Sequence, residues 1–164
     1  MAGNLQDALS SMLDTYDARR SADQARVKKS QDDSDQFIAR FAELRRDVVR
    51  PVFEQAGALL VGRGHAFTIA EEEYIAAGTG KMREARISLS IAPAGMAPPL
   101  HPESFERSLS ITTRHYNKSV SISAGRPPEA SGVAGAKGAY PLERIDRQLV
   151  EEEVVKFVGA VMGG

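Results

Sequence analysis

Between Arg83 and Ala92 the chain alternates strictly, with Ala85, Ile87, Leu89 and Ile91 on one side and Arg86, Ser88 and Ser90 on the other. Every second residue shares an environment only in an extended strand that has one covered face and one wet face. The same pattern returns over Ser104–Thr113. There Phe105, Leu109 and Ile111 turn inward, and Glu106, Ser108, Ser110 and Thr112 turn outward. After the turn-forming Tyr116-Asn117-Lys118 it returns again, with Val120 and Ile122 inward and Ser119, Ser121 and Ser123 outward. An earlier strand, His65–Ile75, carries Phe67 and Ile69 inward and becomes acidic at Glu71-Glu72-Glu73. One-sided alternation of this kind marks antiparallel strands, and the hairpin-sized connections agree with it.

The flanks follow a helical period instead. Leu5, Leu9, Met12, Leu13 and Tyr16 form one narrow apolar stripe, which weakens where Arg19, Arg20 and Asp23 stand in its path. The polar run Ser30–Asp35 offers several N-cap residues, which predict a helix restart there rather than one continuous solvated helix. From Phe37 to Leu60 the apolar residues recur three and four apart: Phe37, Ile38, Phe41, Leu44, Val48, Val52, Ala56, Leu59 and Leu60. Pro51 lies within this run, lacks an amide hydrogen and presses on the carbonyl of Asp47. It predicts either a kink or a new helix with Pro51 in its first turn. Gly62 and Gly64 are placed to end that helix. Ile145, Leu149, Val154, Phe157, Val158 and Val161 form a closing amphipathic helix, with Asp146 or Glu143 suited to its first turn.

Two segments show no periodicity. Pro93–Pro102 holds four prolines and reads as a stiff surface loop, and Gly125–Gly138 reads as an irregular connection. Tyr140-Pro141-Leu142 is placed to dock as a short edge segment. The expected fold is therefore α+β: a long N-terminal helical region, a four-stranded antiparallel meander sheet, and a C-terminal helix packed on the same sheet face. Residues 1–33 are expected to be an extension that serves as an oligomerisation arm, and residues 34–164 a single domain of sufficient size to bury a core.

Several chemistries are excluded or weakened by composition. The 164 residues contain no Cys, which removes disulfides, thiolate metal sites and cysteine nucleophiles. Lys+Arg 21 against Asp+Glu 22 leaves no basic surplus to displace phosphate counterions, so no nucleic-acid partner is expected. Arg40, Arg45, Arg46 and Arg50 make one basic patch, but Glu43 and Asp47 stand beside them at spacings that favour ion pairs within the helix. The start MAGNLQD lacks the basic and apolar regions of a secretory signal, and the longest apolar run, Ala56–Val61, is too short for a bilayer. A cytoplasmic protein without membrane contact is expected.

Candidate catalytic groups are sparse. His65, His101 and His115 share no short ligand spacing, so a metal site would have to be assembled by the fold, and none is expected. Glu71 and Glu73 share one strand face and Glu72 the other, an arrangement that more often keeps a strand end soluble than performs acid–base work. Glu151-Glu152-Glu153 reads as a solvated helix face. Gly62-Arg63-Gly64 and Gly78-Thr79-Gly80 lack the strand-to-helix context of a phosphate loop, and no serine lies in a nucleophile elbow. Neither a catalytic residue nor a cofactor is assigned.

Two surfaces stand out. An isolated helix with so thin a stripe is marginal in water, so Leu5, Leu9, Leu13 and Tyr16 call for a cover, and a second copy of the helix is the simplest. The outward sheet face carries Ser88, Ser90, Ser108, Ser110, Thr112, Ser119, Ser121 and Ser123, with Arg86 and Glu106 as its main charges. A hydroxyl surface of low charge is easily desolvated and suits a partner-binding face. The expected function is a non-enzymatic binding or assembly module that self-associates through its N-terminal helix, a dimer being favoured. The alternative is a small-molecule binder or enzyme with an apolar pocket around Phe67, Ile69, Phe105 and Phe157.

Overall fold

The structure, a computed structural model, describes residues 2–76, 78, 80–96, 107–124 and 139–163. The order is helix α1 (Ala2–Leu44), a π-helical turn (Arg45–Val49), helix α2 (Arg50–Gly62), strands β1 (Ala66–Glu72), β2 (Arg86–Ala92), β3 (Ser108–Arg114), β4 (Ser119–Ala124) and β5 (Ala139–Pro141), then helix α3 (Arg147–Gly163). The chain divides into two compact units, Met1–Gln36 and Phe37–Gly164. The α+β class, with a long N-terminal helix, an antiparallel sheet and a C-terminal helix, is as the sequence indicates.

The first unit is helix alone. The expected restart at Ser30–Asp35 does not occur, and α1 passes through those residues unbroken. From Asn4 to Arg50 there is no glycine or proline, and the polar residues find helical partners instead. Gln31 donates to Asp35 one turn on at 3.0 Å, and Arg26 is hydrogen-bonded to Asp23.

In the second unit, Pro51 decides how the helix continues. Without an amide hydrogen it leaves the Asp47 carbonyl without its usual donor, and the chain widens into a π turn in which the Arg50 amide reaches the carbonyl of Arg45. Helix α2 then starts afresh with Pro51 in its first turn, the second of the two expected outcomes. It ends as glycine permits: Gly64 adopts φ +90°, its amide bonds Val61, and the His65 amide bonds Leu60, both at 3.0 Å.

The strands pair antiparallel in the order β1-β2-β3-β4-β5. This is five strands rather than four, because Ala139–Pro141 adds a short edge in which Tyr140 stands opposite Val120. Register sets Ile87 beside Ile111, Leu89 beside Leu109, and Ile111 beside Ile122. These residues face the end of α1, the π turn, α2 and α3, which add Phe41, Val49, Phe53, Val150 and Phe157 to the buried core. The C-terminal helix is shorter than its apolar pattern, for Ile145 packs into the core ahead of it. Asp146 caps it, accepting the Leu149 amide at 2.8 Å. Strands β1 and β2 are also shorter than their alternating segments: β1 stops at Glu72, β2 starts at Arg86, and Arg83 meets Ile75 in an isolated bridge. His101, Phe105, Glu106 and Thr79, most of the proline loop, and all of Gly125–Gly138 lie outside the described residues.

Candidate functional site

The first unit carries its large apolar side chains in the open. Leu5, Leu9, Met12, Leu13 and Tyr16 are between 48% and 68% exposed, and Val27 farther along is exposed too. No described residue of the first unit belongs to the buried core. Their alignment follows from the helical period, which sets residues three and four apart on one side of a continuous helix.

The second surface lies on the sheet, on the face turned away from the core. Register places Arg86, Ser88 and Ser90 opposite Thr112, Ser110 and Ser108, and Arg114, Thr112 and Ser110 opposite Ser119, Ser121 and Ser123. All eight expected hydroxyl residues therefore share one face of three neighbouring strands. That face is not uniformly open, however: Ser88, Ser108, Ser110 and Ser121 are buried. Ser90 and Ser108 bond hydroxyl to hydroxyl at 2.7 Å, and Ser121 donates to the Thr112 carbonyl at 3.4 Å. The hydroxyl oxygens of Ser110, Thr112 and Ser123, together with one guanidinium nitrogen of Arg114, are closed off from solvent without a hydrogen-bond partner. Arg86 and Glu72 close one corner of the face at 2.7 Å.

The helical arginines do not form a uniform patch. Arg45 is buried and reaches across to β1, donating to the Glu72 carbonyl at 3.3 Å and the Glu73 carboxylate at 2.5 Å, with Glu71 at 3.6 Å. Its guanidinium also lies 5.9 Å from the centre of the Phe41 ring. Arg50 meets Glu71 at 3.2 Å and Glu54 at 2.9 Å, and these bonds raise its pKa above the ordinary arginine value. Arg46 grips Asp47 with two bonds, of 2.8 and 3.1 Å, and holds that carboxyl below its usual range. The acidic run at the end of β1 is thus engaged with arginines: Glu71 meets Arg45 and Arg50, Glu73 meets Arg45, and Glu72 meets Arg86. Buried Arg45 was not apparent from charge patterning. The available signal was its place midway between Phe41 and Val49, four residues from each, on the core side of the helix.

The described histidines are held apart from any metal geometry. His65 accepts the Ala94 amide on Nδ1 at 2.9 Å. His115 engages Glu84 through both its ring nitrogen and its backbone amide, each at 2.9 Å, and its ring lies 5.3 Å from that of Tyr74. Among the described residues no group of three or more His, Asp or Glu side chains is placed to hold a metal ion. Phe67 and Phe157, the described aromatic residues of the expected pocket, are both engaged in packing. Phe157 lies in the core, and the Phe67 ring lies against Gly57 of α2.

Among the described residues, no helix is long and apolar enough to cross a membrane. Comparison with known proteins finds no significant match to a family model, a curated protein or a solved structure.

Proposed function

We propose that the protein is a non-enzymatic assembly module that associates with a second copy of itself through its N-terminal helix, working in the cytoplasm. One observation carries this reading: the stripe of Leu5, Leu9, Met12, Leu13 and Tyr16 is exposed on the part of α1 before Phe37, where no described residue belongs to the buried core. Covering each such side chain contributes roughly 1.5–3 kcal/mol, enough together to outweigh the entropy of joining two chains. The hydroxyl face of the sheet, with Ser88, Ser90, Ser108, Ser110, Thr112, Ser119, Ser121 and Ser123, is the second contact surface in this reading. Its few charges make the part of it that reaches solvent inexpensive to desolvate.

Light scattering on the full chain, on a chain lacking residues 1–30, and on Leu9→Asp tests the proposal. The full chain is expected at a multiple of 17.7 kDa, and both variants at the monomer mass. The core-forming residues all lie from Phe37 onward, so the truncated chain keeps its core. A mass-to-length ratio unchanged across the three proteins refutes the proposal.

A further inference from the structure

The exposed apolar positions Leu5, Leu9, Met12 and Tyr16 are spaced four, three and four residues apart, with Leu13 beside them. That is the seam spacing of a two-stranded coiled coil. Continued along α1, the same spacing arrives at Arg19, Asp23 and Arg26, so the seam turns from apolar to charged after Tyr16.

We infer that two copies pair antiparallel about the midpoint between Leu9 and Met12, an arrangement that rests on the self-association proposed above. A four-three-four spacing is its own reverse. Turning one helix around sets Leu5 against Tyr16 of the second copy and Leu9 against Met12 of the second copy, so every apolar layer meets an apolar layer. Arg19 then falls beyond the last apolar layer, and no arginine meets an arginine.

The other registers fail on charge or on burial. Parallel pairing matches the apolar layers equally well, but its seam runs on into Arg19 against Arg19, Asp23 against Asp23 and Arg26 against Arg26. Three successive like-charge layers oppose that arrangement. A longer antiparallel overlap that brings Arg19 opposite Asp23 sets Leu9 against Asp33 and requires Leu5 to meet Phe37, which is already buried in the core of the second unit. Exposed ion pairs contribute less than buried leucines, so the apolar register prevails. The flanks are compatible with it: Gln6, Ala8, Leu13 and Thr15 beside the seam are uncharged, and Asp7 and Asp14 lie on the far side of the helix.

The natural absence of cysteine permits a single spin label at Lys28→Cys, an exposed position on the side away from the seam. Pulsed dipolar spectroscopy then reads the distance between the two labels, with light scattering on the same sample. At a rise of 1.5 Å per residue the antiparallel pair separates the labels by about 50 Å, whereas parallel helices hold them about 20 Å apart. A dimer with labels near 50 Å supports the inference. A dimer at about 20 Å, or at any other distance, overturns the antiparallel register and leaves self-association standing. A monomer mass overturns both.

Discussion

Gly57→Ala is a small change whose outcome depends on one neighbour. Gly57 is buried in α2 where that helix crosses β1, and a Cβ there would lie 2.4 to 2.6 Å from three atoms of the Phe67 ring. Carbon atoms rest at about 3.5–4.0 Å, so the ring must retreat by about 1 Å or more, or the helix must lift. Phe67 is half-buried on the edge strand and has room to swing outward. Losing its packing costs about 2–3 kcal/mol, and alanine in place of glycine within the helix returns about 1 kcal/mol. The expected net loss is therefore about 1–2 kcal/mol. In a Phe67→Ala background the obstacle is gone, and Gly57→Ala should stabilise by about 1 kcal/mol. The sign of the effect reverses with the background. Urea unfolding of the four proteins, compared at equal m-values, measures the coupling. An equal effect of Gly57→Ala in both backgrounds would refute the packing argument.

Two further outcomes follow from the sheet and from the π turn. Ser110→Ala removes a hydroxyl that is closed off from solvent and unbonded, and should raise stability by about 1 kcal/mol; a loss in thermal or urea unfolding would show that the oxygen is bonded. Asp47 titrates below the usual carboxylate range because Arg46 hydrogen-bonds its charged form, so its stabilising contribution is present at neutral pH and disappears as the pH falls through that lowered value. In Arg46→Gln the Asp47 midpoint, followed by carboxyl carbon NMR, should rise toward the ordinary value, and an unchanged midpoint would assign the shift to another cause.

The legible parts of this fold were those with a strong period. Ile87, Leu89, Leu109, Ile111, Val120 and Ile122 are in the core as their alternation requires. The stripe from Phe37 to Leu60 does pack on the sheet, although Leu59, counted in it, is exposed. Short or aperiodic features were harder to read. The fifth strand has only three residues, too few for alternation to register. Ser30–Asp35 looked like a helix start because its residues are good caps, yet the same side chains also solvate a helix interior when nothing breaks the backbone. Arg45 was read with its charged neighbours, and only its contact with β1 shows that it holds the helix to the sheet.

Of the two candidate surfaces, the helical stripe depends on local spacing, and it stands in the structure where that spacing sets it. The hydroxyl face was legible as a set of residues sharing one side of a sheet. Its burial and the unbonded oxygens of Ser110, Thr112 and Ser123 were not. By itself the sequence determined which residues share a face, because the helical and strand repeats are properties of the backbone that each segment carries with it. The tertiary structure decided which faces are closed and that Arg45 and Arg50 both reach Glu71 on β1. Those outcomes depend on segments distant in sequence coming within a few ångströms of one another, and no local pattern encodes that distance.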